Sequence, residues 1–180
     1  NRKILEGIFQ SLNININFSE FSTIIDKLDK IGLNKVCDLL SVHGISNSQL
    51  KSIKNLFLFE GSFEEKKTYA TSNFNNHNVK LGFDEISFIV SQITDLNLKT
   101  QINLDFSLAR GLDYYTGFVF EVIPINNNFG SICGGGRYDQ LTEKFNVKNI
   151  SGVGMSFGLD RLCILLEELG LFPNKKTFSL

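Results

Sequence analysis

The 180-residue chain is 42% hydrophobic and 21% charged, a globular composition long enough for a domain with its own core, which excludes a disordered chain as the starting point. A formal net charge of −1 excludes a protein that grips a phosphate backbone through overall charge, so any nucleic-acid contact is local or made by another surface. No apolar run reaches the roughly 18 residues that a membrane span needs, and the expectation is of neither a span nor a leader. Cys37, Cys133 and Cys163 form an odd set without ligand-like spacing. They read as buried thiols in a reducing compartment, cytosol or organelle matrix, rather than as a disulfide framework or a zinc site. The chain opens on Asn1 inside a stretch that already reads as helix, so a segment of something longer is expected.

In NRKILEGIFQSL the apolar residues Ile4, Leu5, Ile8, Phe9 and Leu12 recur on one helical face. A second helix is expected through FSTIIDKLDKIG, capped by Ser19 or Ser22 and stopped by Gly32. NKVCDLLSVHG reads as a third, with Gly44 as its stop. A fourth begins near Ser46 and carries Leu50, Ile53, Leu56 and Phe57. TSNFNNHNVKLG is rich in Asn and poor in large apolar side chains, and reads as a loop. FDEISFIVSQITDL then places Phe83, Ile86, Ile89, Val90 and Ile93 on one helical face.

From Ile102 the period changes to two. INLDFSL alternates Ile102, Leu104, Phe106 and Leu108 with polar partners, as a half-buried strand does. FVFEVIPI repeats the theme, and NNNFG connects it in hairpin fashion to SICGGG. RYDQLTEKF reads as a short helix, SGVGMSFG as a glycine-punctuated strand, and LDRLCILLEELG as a helix. Successive strands with few crossover helices imply an α+β fold, an antiparallel sheet with helices. The division falls at a helical region, residues 1–98, followed by a sheet-rich region, residues 99–180.

Three stretches carry residues suited to chemistry. In LARGLDYYTG, Arg110 is a permanent cation suited to carboxylates, phosphates or developing negative charge. Tyr114 and Tyr115 offer flat apolar bodies with one hydroxyl each, suited to a small polar aromatic ligand. A salt bridge between Arg110 and Asp113 at a strand bend, with the tyrosines as amphipathic core, explains the same residues without any ligand. In CGGGRYDQL, Gly134, Gly135 and Gly136 allow close backbone approach beside Tyr138, although a glycine triplet also serves as a bend or bulge. In GVGMSFGLDRL, small residues leave room for a flat group and Arg161 enters the first turn of the next helix, able to stack on a purine or pair with a phosphate. The same glycines also permit close helix packing. His43 and His77 read as surface residues, and no Ser, His and Asp arrangement presents itself for nucleophilic catalysis. The two arginines favour positioning chemistry on a phosphate.

Taken in order, ARGLDYYTG, GGGRYD and GVGMSFGLDRL resemble the histidyl-tRNA synthetases, class II aminoacyl-tRNA synthetases: the first two resemble the family's histidine-specific signatures and the third its third general class II motif. NRKILEGIF and IDKLDKIG are similar to segments that follow the second class II motif in eukaryote-type members. The resemblance implies that the full-length protein activates histidine with ATP, taken as its magnesium complex, and transfers it to tRNA(His). It implies a homodimer in the cytoplasm, an organellar form remaining open, with no membrane partner. It assigns Arg110 to the α-phosphate and to histidine, and Tyr114, Tyr115, Tyr138, Gly134 and Gly135 to the histidine site, with Gly136 in the same wall. It gives Gly158 and Arg161, with Arg110, to ATP, and it assigns no metal ligand in this segment. The first two class II motifs and the anticodon-binding domain are expected outside these residues, FPNKKTFSL beginning a linker, so the segment alone is expected to be inactive. The alternative is a catalytically silent, synthetase-like regulatory paralogue that senses histidine or tRNA; a bare interaction domain would leave the ordered set of three motifs unexplained.

Overall fold

The computed structural model describes residues 1–96, 98, 100–109, 114–125 and 129–172. The readings placed on Arg110 and Asp113 and on the linker after Phe172 lie outside the described residues. Among the described residues, seven helices, α1 (Arg2–Ser11), α2 (Phe18–Ile25), α3 (Leu28–Ile31), α4 (Leu33–Val42), α5 (Asn47–Phe57), α6 (Phe63–Asn73) and α7 (His77–Asp95), precede the strands β1 (Val119–Val122), β2 (Cys133–Tyr138) and β3 (Gly152–Phe157). A 3₁₀ turn (Leu141–Phe145) lies between β2 and β3, and α8 (Leu159–Glu168) follows. The strands form an antiparallel sheet in the order β1-β2-β3, giving the α+β layout that the change of sequence period implies.

Helix α1 organises the helical part because its apolar stripe is wide enough to serve two cores. Leu5 joins Phe21, Ile25, Val36, Leu40 and Ile53 in one cluster. Ile4 and Ile8 join Leu56, Phe74, Val79 and Phe83 in the other. Each such side chain removed from water contributes about 1.5–3 kcal/mol. Where α1 crosses α7 the backbones nearly touch: a β-carbon at Gly7 would stand 2.7 Å from the backbone nitrogen of Val79, and one at Gly82 would stand 2.5 Å from Cγ1 of Ile4. The same helix reaches the sheet region, since the Arg2 N–H donates to the Gly117 carbonyl at 2.9 Å.

Several local expectations change. The second helix is two, α2 and α3, and its cap is Asn17, whose side chain accepts from the Ser19 N–H. Ser22 is instead buried, its hydroxyl accepting from the Arg2 guanidinium at 2.9 Å while that guanidinium lies 4.7 Å from the Phe18 ring centre. The loop expected over TSNFNNHNVKLG shrinks to a short link between α6 and α7, because Asn76 caps α7 and Phe74 and Val79 supply buried anchors. Helix α6 has no counterpart in the sequence reading. It buries Ala70 alone and starts at a reciprocal Ser62–Glu65 capping box, a signal that apolar periodicity does not carry. INLDFSL is not a strand. The Leu104 carbonyl accepts from Lys66 Nζ at 2.7 Å, and Asp105 turns the chain by accepting from the Ser107 N–H at 2.7 Å. With one bond to α6 and one local turn in place of a ladder, the alternation reports burial of Leu104 and Phe106 rather than strand pairing.

Gly7→Ala tests the α1–α7 crossing. Helix propensity alone favours Ala by about 1 kcal/mol, but overpacking against backbone costs about 1–3 kcal/mol. Urea unfolding is expected to show a net loss of stability.

Candidate functional site

Side chains of directly opposed residues lie on the same face of a sheet. The register pairs Val119 with Gly136, Glu121 with Gly134, Gly136 with Gly154, Gly134 with Ser156, and Tyr138 with Gly152. One face is therefore floored by glycines along two adjacent strands. Tyr138 lies across it: a β-carbon at Gly152 would stand 2.3 Å from Cε2 of the ring, and one at Gly154 would stand 2.6 Å from the hydroxyl oxygen. Tyr115, only 6% exposed, occupies the same floor, with its ring 2.8 Å from where a β-carbon on Gly136 would be. Tyr114 completes the cluster. Its ring centre is 4.5 Å from that of Tyr115 and meets Tyr138 edge-on at 5.9 Å, and its hydroxyl donates to the Tyr115 hydroxyl at 3.4 Å.

The triplet of glycines sits inside the middle strand, not at the strand-to-helix junction that the sequence pattern implies, and its members have different surroundings. Gly134 and Gly136 face the tyrosine side. Gly135 faces the other way, where a β-carbon would stand 2.1 Å from the Gly154 carbonyl oxygen, so its small size serves the β2–β3 ladder. On that opposite face Val153, Met155 and Phe157 are exposed at 65%, 64% and 60%.

At the far end of the glycine floor an open groove of about 320 Å³ is lined by Ser131, Gly134, Ser156, Gly158, Asp160 and Arg161, among others. Arg161 spans its edge and donates from Nη1 to the Ser131 carbonyl at 2.8 Å. Gly158 precedes α8 and its N–H donates to the Ile132 carbonyl at 2.9 Å, closing the strand end behind the groove. From Tyr138 to Gly134 is four residues of strand, roughly 13 Å at about 3.3 Å per residue. Tyr114, Tyr115, Tyr138, Gly134 and Gly136 thus share one surface with the Gly158–Arg161 groove at its other end; Arg110 lies outside the described residues. Among the described residues, no group of three His, Cys, Asp or Glu side chains is placed to hold a metal ion. No described helix is long and apolar enough to cross a membrane.

Sequence reading missed the ties at the tyrosine end. The Thr116 hydroxyl donates to Asp139 Oδ2 at 2.8 Å and accepts from the Asp139 N–H at 3.0 Å, while Arg137 Nε donates to Asp139 Oδ1 at 2.9 Å. Burial pushes the Asp139 carboxyl up, but the hydrogen bonds from Thr116 and Arg137 and the charges of Arg137 and Lys3 outweigh it, holding the group below its ordinary 3.8. The same bond to Asp139 raises the pKa of Arg137. The spacing of these residues along the chain is uninformative; only the β1–β2 register brings Thr116 to Asp139.

The profile of the histidyl-tRNA synthetase family matches residues 1–162. The chain is similar to the histidine–tRNA ligase of Flavobacterium johnsoniae, 46% identical over 97% of this chain and 37% of the relative. Its structure is similar to that of histidyl-tRNA synthetase from Nostoc sp. PCC 7120, at TM-score 0.83 and 35% identity, covering 96% of this chain and 42% of that one. A structure described as an ATP phosphoribosyltransferase regulatory subunit/histidyl-tRNA synthetase from Bacillus halodurans C shares the fold at TM-score 0.73 and 18% identity, covering 93% of this chain and 42% of that one. The chain therefore spans about two fifths of the length of the proteins that it matches.

The Asp139 carboxyl has a depressed folded-state pKa, so its contribution to stability is present above 3.8 and is lost as pH falls through the lower folded value. The stability difference between the wild type and Asp139→Asn is expected to shrink below that pH. Parallel urea titrations across the acid range, with carbon NMR of the Asp139 carboxyl, measure it.

Proposed function

Because the chain belongs to the histidyl-tRNA synthetase family, we propose that it supplies the amino-acid pocket and part of the nucleotide site of an enzyme that joins histidine to tRNA(His) at the cost of ATP. The observation that carries this reading is the single glycine-floored face, with three clustered tyrosines at one end and an arginine-edged groove at the other. A span of roughly 13 Å suits an amino acid laid end to end with a nucleoside phosphate.

In the proposed reaction a histidine carboxylate oxygen attacks the α-phosphorus of magnesium-bound ATP, the bond to the bridging oxygen breaks, and pyrophosphate leaves with the electron pair. The terminal ribose hydroxyl of the tRNA then attacks the adenylate carbonyl, and AMP departs. Tyr114, Tyr115 and Tyr138 would present hydroxyls and ring faces to the imidazole, with Gly134 and Gly136 forming the backbone wall, while Gly135 faces away from it. Gly158 leaves room for the nucleotide, and Arg161 turns from its edge position to stack on the base or pair with a phosphate. Arg110, immediately before the tyrosine segment, would stabilise negative charge growing at the α-phosphorus, where a fixed guanidinium acts without reorganising. Helices α1 to α7 form the helical region beside this core. The tRNA contacts and a homodimer belong to the full-length cytoplasmic protein. A silent regulatory paralogue is the competing reading, and histidine-dependent exchange of pyrophosphate into ATP by the full-length protein decides between them; its absence overturns the enzyme reading.

Two substitutions test the roles. In the full-length protein Tyr115→Phe and Tyr138→Phe are expected to weaken histidine by about 1–3 kcal/mol, the cost of a buried polar partner left unpaired, with little effect on ATP. Separate KM measurements for each substrate check this. Arg110→Ala is expected to slow single-turnover adenylate formation by a factor on the order of 100 with little change in affinities, and Lys to rescue only in part. Thermal unfolding of the same variants identifies the bend-stabilising alternative, in which stability falls and the chemical step stays normal.

A further inference from the structure

We propose that Asp139 is a positioning residue for the tyrosine pocket, acting through Thr116; the proposal rests on the reading of that pocket as an amino-acid site. Regular β1–β2 pairing covers Val119–Val122 opposite Cys133–Gly136. Beyond it the two chains carry Tyr115 on one side and Tyr138 on the other, so whatever joins their neighbours sets the spacing of the rings. The Arg137 peptide makes two bonds that straddle Gly117: its N–H donates to the Phe118 carbonyl at 2.9 Å, and its carbonyl accepts from the Thr116 N–H at 2.9 Å. Gly117 between them is tied as well, its carbonyl accepting from the Arg2 N–H at 2.9 Å, so the backbone here is held and the side chains beside the rings complete the connection.

The Thr116–Asp139 pair adds the side-chain tie. Thr116 directly follows Tyr115 and Asp139 directly follows Tyr138. Two hydrogen bonds of opposite sense join the residues, at 2.8 Å and 3.0 Å. The second carboxylate oxygen is taken by Arg137 Nε at 2.9 Å, so the carboxylate is fixed at both ends. The Arg137 stem in turn packs under Gly117, with Cδ 3.1 Å from where a β-carbon on that glycine would be, and Glu85 Oε2 stands 3.4 Å from the same point. Glu85 is held by Lys3 and by Asn1 Nδ2, the latter at 2.9 Å. The clamp thus leans on α1 and α7, which gives the helical region a route to the ring positions. A displacement of about 1 Å at a binding group is enough to reduce function strongly, and Thr116 is one residue from the group in question.

In the full-length protein Thr116→Val and Asp139→Asn are expected to raise the histidine KM in pyrophosphate exchange by about tenfold while the ATP KM stays within about twofold, and Thr116→Ser is expected to restore most of the loss. Equal rises for both substrates, an unchanged histidine KM, or failure of Ser to rescue overturns the proposal. Should Asp139→Asn not fold, Thr116→Val decides, since it keeps the side-chain shape and removes only the hydroxyl. If the wild type shows no histidine-dependent exchange, the functional reading fails and the clamp is judged on its own by carbon NMR of labelled tyrosine. Ring flipping of Tyr115 and Tyr138 is expected to be slow in the wild type, faster in Thr116→Val and slow again in Thr116→Ser; unchanged flipping rejects the clamp.

Discussion

A tyrosine ring laid flat over the backbone of a neighbouring strand is possible only where that strand has no side chains on the facing side. Tyr138 meets this condition at Gly152 and Gly154, and Tyr115 meets it at Gly136. The rest of the site follows from this constraint. Because the floor is backbone, the rings sit low, the Tyr114 and Tyr115 hydroxyls meet at 3.4 Å, and the groove edged by Arg161 lies at the other end. Gly135 shows the same economy of space for a different reason, since its neighbour is the Gly154 carbonyl and the result is a tight β2–β3 ladder. Three consecutive glycines therefore serve two faces of one sheet.

Such a floor contributes little packing of its own, and its order has to come from elsewhere. The two clusters that meet at α1 provide it, joined to the sheet through the Arg2 to Gly117 backbone bond and the Lys3, Glu85, Arg137 and Asp139 charges. Polar ties of this kind have modest individual strength in a half-exposed setting. Their importance lies in geometry: the Arg2, Lys3 and Glu85 ends are anchored on helices already fixed by apolar burial. Stability and positioning are thereby assigned to different parts of the molecule, the helical cores supplying the first and the network beneath the tyrosines the second.

The two faces of the sheet also differ in character. Small residues and tyrosines line one side, whereas Val153, Met155 and Phe157 are exposed on the other. In a chain that spans about two fifths of its relatives' length, the glycine-rich face is the one on which this segment's own tyrosines cluster.

The sequence by itself determined the order of elements wherever apolar periodicity was strong: α1, α4, α5 and α8 and the strands β1 and β3 lie where their patterns place them, whereas α7 begins at His77, ahead of the FDEISFIVSQITDL pattern, and β2 runs on through Arg137 and Tyr138, which the pattern gives to a short helix. It also picked out the tyrosines, Gly134, Gly136 and Arg161, because unusual residue types stand out without any knowledge of contacts, but it could not tell that Gly135 faces the other way. Tertiary structure decided the rest. Alternation in INLDFSL reported burial but not pairing, since the carbonyl that a strand would have used was taken by Lys66. The Asn-rich stretch became helix because Asn76 caps it and Val79 has a core to enter. Thr116 and Asp139, 23 residues apart in sequence, met only through the strand register. Local sequence specifies propensity and period. Which donor meets which acceptor depends on the third dimension, and at this site those meetings set where the rings stand.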